Sequence, residues 1–299
     1  MSRQTQAFNE LVQLMELEQL EVNLFRGVSR DIGTERVFGG QILAQALLAA
    51  SNTVEGRIAH SLHGYFLRAG DHAAPVVYNV DHTREGRSFC SRRVIAIQHG
   101  QPIFTLAASF QVEEQGLEHQ FGMPAVPPPE QVPLMQELPT KDFEHMPENI
   151  QRWLDRFGPF EFRAVRGADP SDCSSQPPHK DLWFKLHGDV GCDPHMNRAV
   201  LAYVSDFHLV GTATLPHGIS WVQGNLMLAS LDHAMWFHRD FCLDDWLLYS
   251  CDSPSTYGGR GLARGMIYDR QGRLVASSAQ EGVVRVRKQT EETGEQTDE

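Results

Sequence analysis

The sequence predicts an α+β fold: two copies of one unit, each a long antiparallel sheet wrapped around a central helix. Three observations carry this. Residues 37–50, "VFGGQILAQALLAA", open with a Gly pair and continue as a strongly apolar helix, the pattern of a helix buried on every side. Four β-rich segments follow: "HSLHGYFLRAG", "PVVYNVDHTREG", "FCSRRVIAIQHG" and "QPIFTLAASFQV", punctuated by Gly and charged turns. The second half then repeats the first. "GYFLR" (64–68) matches "MWFHR" (235–239) at a shift of 171, and "RRVIAIQHGQPIFTLAAS" matches "ARGMIYDRQGRLVASSAQ" at 171 to 172, with Gly100 and Gly272 in register. A repeat this long means a duplicated unit rather than a solenoid.

Taken in order, residues 8–24 place Leu11, Leu14, Met15, Leu17 and Leu20 at helical spacing and read as a leading helix docked on the body. The central helix and its four strands follow. Residues 122–150 are rich in Pro and read as a linker. Weaker β signals appear in "EFRAV" and "DLWFKLHG". The second central helix is marked by "LAYVSDFHL" (201–209), which resembles "LAQALLAAS" (43–51) at a shift of 158. The shift then grows because a longer connection, "VGTATLPHGISWVQGNLM", precedes the second set of strands. The tail after Arg287 has no apolar residues and is expected to be disordered. The expected units are 1–120 with the leading helix, 121–160 as linker, 161–287 as second unit and 288–299 as acidic tail.

Composition narrows the function. The chain has 299 residues, 41% hydrophobic and 21% charged, with a formal net charge of −12. No broad basic surface is offered to nucleic acid, so phosphate-backbone binding is excluded as a general activity. No run approaches the roughly 18 apolar residues of a spanning helix, so no membrane partner is expected. The N-terminus "MSRQTQAFNELVQLMELEQL" is acidic and amphipathic, unlike a signal peptide. Five scattered cysteines without a C-x-x-C pair read as free thiols. A cytoplasmic protein is expected.

Several common sites are absent: no G-x-S-x-G elbow, no P-loop, no dinucleotide fingerprint, no H-E-x-x-H. No metal or cofactor is expected, and His217 and His233 read as ordinary structural histidines. What remains is a polar set confined to the second copy. In "AYVSDFHLVGTA", a helix gives Asp206 the neighbours Ala202, Leu209 and Val210, a buried face; a strand would instead place Val204, Asp206 and His208 together. The matching position in the first copy is Leu48. Ser230 opens the strand carrying the second repeat signature. Gln280 lies near the end of the last strand, opposite Ser109 or Ala108 of the first copy. Single Ser and Gln residues in strands are more often structural, but polarity kept in one half alone suggests one working site out of two.

The chain resembles the type II acyl-CoA thioesterases, a double-hotdog family, from about residue 11 to 285. The resemblance rests on "FRG" (25–27), "VFGGQ" (37–41), "LHGYFLRAGD" (62–71), "PIFTLAASFQ" (102–111), "LDHAMWFHR" (231–239) and "ASSAQEG" (276–282). It implies that Asp206, Ser230 and Gln280 jointly hold a hydrolytic water, with Ser230 where many members carry Thr. Ser keeps the hydroxyl but lacks the methyl that restricts the rotamer.

A carboxylate serves as general base for water attack on a thioester, an effect of about 10²–10⁴-fold. The residues around "VFGGQ", Gly39 and Gly40 among them, are candidates for oxyanion donors through backbone amides. Arg84, Arg87, Arg92 and Arg93 form one candidate cluster for CoA phosphates, Arg92 and Arg93 foremost. The expected partner is acyl-CoA, medium- to long-chain, hydrolysed without an acyl-enzyme. Exposed sheet edges suggest a homo-oligomer, dimer or tetramer. The alternatives are a hotdog enoyl-CoA hydratase and a non-catalytic acyl-CoA binding protein. The hydratase needs Asp and His about five residues apart, whereas His208 follows Asp206 by two.

Overall fold

The computed structural model describes residues 3–31, 36–135, 158–166, 173–219 and 226–286. The expected tail and the second part of the Pro-rich segment lie outside them. The leading helix α1 spans Arg3–Met15, shorter than the periodicity indicated. Leu17 lies in the link after the helix, and Leu20 belongs to a hairpin, β1 (Glu18–Glu21) and β2 (Leu24–Gly27). Pairing of β2 with β4 draws the chain into the sheet and ends the helix. β1, fully exposed and carrying Glu18 and Glu21, closes this edge, and charge there discourages further pairing.

The first central helix is α2 (Gly39–Ser51), buried at twelve of its thirteen residues. Around it run β3 (Ile58–Phe66), β4 (Val76–Glu85), β5 (Phe89–Gln98) and β6 (Gln101–Gln111). The second unit holds β7 (Phe160–Arg166), β8 (His179–Leu186), α3 (Pro194–Ser205), a 3₁₀ segment (Val210–His217), β9 (Leu226–Ser230), β10 (Asp232–Phe237), β11 (Leu247–Tyr257), β12 (Arg260–Asp269) and β13 (Leu274–Val286). Among the described residues, thirteen strands form one antiparallel sheet in the order β1-β2-β4-β5-β6-β3-β10-β13-β12-β11-β8-β7, with β9 pairing β13 beside this path. The expected α+β duplication is what the structure shows. Both hairpin turns in the repeat use glycine at positive φ, Gly100 at 71° and Gly272 at 79°, a region side chains with Cβ rarely enter.

The joint between the units explains the repeat. On β3 and β10, His63 faces Ala234, and these residues are 171 apart, the shift read from the sequence. A local two-fold therefore passes through this pair and exchanges Gly64 with Met235 and Leu62 with His233. One step outward Ala108 and Gln280 are 172 apart, while their partners Arg92 and Ala263 are 171 apart: Arg92 faces Ala108 in the first unit, and Ala263 faces Gln280 in the second.

The described part of the Pro-rich segment, 122–135, is a packed strap rather than a loose tether. The Trp183 indole donates to the Pro127 carbonyl at 2.9 Å. Val132 joins Trp183, Trp246, Leu248 and Tyr268 in a cluster separate from the main core. Proline suits such a path, since it costs little backbone entropy to order and needs no N–H partner.

Candidate active site

Asp206 closes α3 as its C-cap residue, in α_R conformation, and is 8% exposed. Helix α3 begins at Pro194 behind an Asp193 N-cap, whose side chain accepts from the His195 amide, both standard start signals. The strand alternative is thus excluded, and so is the pairing with Leu48. The C-cap of α2 is Asn52, 154 positions before Asp206, whereas the apolar pattern matched at 158. The difference is four residues, one helical turn, the slip an apolar repeat permits. The buried carboxylate therefore sits at a helix end, not along its flank.

Two strands bring the other predicted residues to it. Ser230 ends β9, two residues before β10 begins at Asp232, rather than opening it. Gln280 is fully buried on β13. Its Nε2 donates to Asp206 Oδ1 at 2.5 Å and to Ser230 Oγ at 2.9 Å, and Ser230 Oγ donates to the same Oδ1 at 3.3 Å. Gln280 Oε1 is buried without a hydrogen-bond partner. Ala108 is the two-fold mate of Gln280, so of the two alignments the one without Ser109 holds, and Ala59 is the mate of Ser230.

The first unit contributes the facing wall. A Cβ placed on Gly39 would lie 2.6 Å from Asp206 Oδ2 and 3.0 Å from Phe66 Cζ. The N-terminus of α2 therefore abuts the C-terminus of α3. Its N-cap is Phe38, which offers no side-chain cap, so the first amides of α2, which have no intrahelical acceptor, point outward with the positive end of the helix dipole. Gly40 permits the helices to approach: a Cβ there would lie 2.3 Å from the Tyr203 carbonyl oxygen. Aromatic rings surround this junction, with Phe38 centred 4.5 Å from Phe207 and 5.2 Å from Tyr203, and Phe66 4.9 Å from Phe104.

One of the two foremost arginines is a correction. Arg92 is 3% exposed; its guanidinium donates to Thr53 Oγ1 and to the Thr53 carbonyl, and pairs with Glu85 at 2.6 Å. It stands where the second unit has Ala263 and holds the residue just after Asn52, the mate of Asp206. The first unit's equivalent of the site is thus filled by an arginine, which is not available to a phosphate. Alternation along β5 turns Arg93 outward, where it pairs with Asp81 at 3.0 Å.

Sequence reasoning set one neighbour aside as an ordinary structural histidine. His233 is fully buried, its Nδ1 3.8 Å from Asp206 Oδ1. Burial lowers its pKa, against the raising influence of Asp206 and Asp232. Its signal is a polar residue whose mate, Leu62, is apolar. Among the described residues no group of three or more His, Cys, Asp or Glu could hold a metal, and no helix is long and apolar enough to cross a membrane.

An Asp carboxylate met by the donors of Gln280 and Ser230 and facing the first amides of α2 is an arrangement able to orient a water for attack on an activated ester. Comparison with known proteins agrees. A family model described as acyl-CoA thioesterase matches residues 172–283, and one described as acyl-CoA thioesterase N-terminal domain matches residues 28–111. Acyl-CoA thioesterase 2 of Haemophilus influenzae is 41% identical over 278 residues, covering 93% of this chain and 97% of that protein. The crystal structure of an acyl-CoA thioesterase II from Mycobacterium marinum has a TM-score of 0.77 at 38% identity, covering 94% and 98% of the two chains. A hot dog fold protein of unknown function from Alicyclobacillus acidocaldarius, 19% identical with a TM-score of 0.76 over 94% and 99% of the chains, supports the fold alone. The chain belongs to the acyl-CoA thioesterase II family, hydrolases built on a double hotdog fold.

Proposed function

We propose that the chain hydrolyses medium- to long-chain fatty acyl-CoA to fatty acid and CoA, with Asp206 as general base for direct attack by water. The observation that carries this is the convergence of Gln280 and Ser230 on Asp206 Oδ1 at the N-terminus of α2. Water gives a proton to Asp206 as its oxygen bonds to the thioester carbon. Ser230 and Gln280 orient water and carboxylate, so the reacting atoms meet without further ordering. The amides of Gly39 and Gly40 receive the developing oxyanion, helped by the α2 dipole. The C–S bond then breaks, and the CoA sulfur takes the proton from Asp206. No residue is acylated. The aromatic junction around Phe38, Phe66 and Phe207 supplies apolar contact for the acyl chain. The described residues identify no cationic group for the CoA phosphates, and Arg92 is assigned a structural role instead.

The chain is further proposed to act in the cytoplasm as a homo-oligomer, since Tyr65, Leu67 and Trp236 are left exposed; sedimentation tests this. The units are taken as 1–120 and 161–287 joined by 121–160. The functional test follows loss of thioester absorbance from saturated acyl-CoAs of increasing length, with an enoyl-CoA as parallel substrate. Turnover of saturated substrates with a maximum at medium or long chains supports the proposal. Hydration of the enoyl-CoA alone, or binding without turnover, refutes it in favour of the hydratase or the binding protein.

A further inference from the structure

Beside the hydrolytic site lies one buried polar side chain that the steps above leave unused. His233 Nε2 is 3.0 Å from Ser205 Oγ. The Ser205 hydroxyl, in the last turn of α3, donates to the Ala202 carbonyl at 2.9 Å, which leaves its lone pair to receive the Nε2 proton. A neutral imidazole carries one N–H, so this assignment, made from the hydrogen-bond network, makes Nδ1 a bare acceptor. That nitrogen is buried with no hydrogen-bond partner and faces Asp206 Oδ1 at 3.8 Å. Two acceptors opposed in a dry interior gain nothing from each other until one takes a proton. Asp206 takes one when water attacks.

The surroundings keep the ring neutral. The charged or titratable groups facing it are Asp206 at the end of α3, Asp232 on its own strand and Tyr249 on β11, whose hydroxyl bonds the Ser205 carbonyl and Ser278. β13 presents neutral Gln280 and Ser278, and β3 places Gly64 opposite His233. No cation is among them. The local two-fold puts Leu62 at the mate of His233, so this polarity, like that of Gln280 and Ser230, exists only in the unit with the site. A buried polar atom without a partner is costly and calls for an explanation.

We propose that His233 is a positioning residue for the general base: its bare Nδ1 accepts the hydrogen bond of the Oδ1–H that Asp206 gains from the attacking water. The water O–H bond breaks and Oδ1–H forms. The proton is held toward His233 until the leaving sulfur takes it, and His233 itself neither gains nor loses a proton. This rests on Asp206 being the base.

Two variants separate the ring nitrogens, because Gln places a polar atom near Nε2 and Asn places one near Nδ1. His233→Gln keeps the Ser205 contact and loses the acceptor; its kcat is expected to fall about tenfold or more with KM within about twofold. His233→Asn keeps an acceptor toward Asp206 and is expected to stay within about threefold of wild type, although it gives up Ser205. Equal losses, or Asn worse than Gln, overturn the proposal and leave a structural histidine. If neither variant folds, wild type labelled with ¹⁵N-histidine decides: the ring whose signals move in Asp206→Asn must carry its proton on Nε2, and a proton on Nδ1 overturns the proposal. Asp206→Asn also separates the two levels. Full activity there removes the base assignment, whereas an inactive Asp206→Asn beside a fully active His233→Gln removes only the role of His233.

Discussion

Gly39→Ala would place one methyl group into the contact on which the site depends. The added Cβ would lie 2.6 Å from Asp206 Oδ2, where ordinary van der Waals contact begins at 3.4 Å. Either the carboxylate withdraws by about 0.8 Å, that difference, or α2 and α3 separate by a similar amount. Phe66 Cζ, 3.0 Å from the same Cβ, blocks an easy sideways escape. A displacement near 1 Å from productive geometry costs about 10²-fold in rate, so kcat is expected to fall roughly 10- to 100-fold while KM changes little. Stability should suffer less, because Ala is the better helix former by about 1 kcal/mol and partly offsets the overlap. Steady-state hydrolysis of one saturated acyl-CoA by the folded variant, with its thermal midpoint, reads both. A variant within twofold of wild type in kcat would mean that the contact between Gly39 and Asp206 does not set the chemistry.

Other outcomes follow from the same geometry. Gly40→Ala meets backbone, the Tyr203 carbonyl at 2.3 Å, so it should cost stability, about 1–3 kcal/mol by overpacking; an unchanged thermal midpoint contradicts this. Arg92→Ala should lower the midpoint by breaking bonds to Thr53 and Glu85, about 1–3 kcal/mol, and leave KM for acyl-CoA unchanged. A rise in KM at full stability would restore Arg92 as a phosphate ligand. Burial lowers the pKa of His60, His195, His208, His233 and His238 below the ordinary 6.5. The unfolded chain therefore binds protons that the folded chain refuses, and stability is lost as pH falls below about 6.5. The thermal midpoint should drop between pH 7 and pH 5, and a flat profile would show these rings to be solvated.

The duplication was legible because sheet pairing is periodic and the two-fold fixes its register. A shift of 171 in the letters becomes His63 facing Ala234 on adjacent strands. Gln280 was legible as a polar residue set against Ser109 or Ala108 of the first copy, and Ser230 by its place before the second repeat signature; the pairing then shows both mates to be alanines. The helix was less so. Apolar residues on a buried helix recur every turn, so the match slid by four residues, and Asp206 was set against Leu48 instead of Asn52. The end of α1 was hidden because Leu17 and Leu20 continue its spacing, and only pairing of β2 with β4 ends it. Proline composition marked the strap but not its packing on Trp183. For Arg92 the letters show a charge and not its direction: one strand position decides between a buried plug and an exposed ligand. His233 stood inside a quoted motif, but its importance lies in which nitrogen faces Asp206, and only coordinates show that.

The most direct test of the central claim compares wild type with Asp206→Asn in single turnover, following loss of thioester absorbance with enzyme in excess. Asparagine keeps the shape at the end of α3 and cannot take a proton. The account expects a folded variant slowed by about 10²-fold or more in the hydrolytic step, with substrate binding retained. Equal rates in the two proteins would contradict it, because the water would then be activated elsewhere.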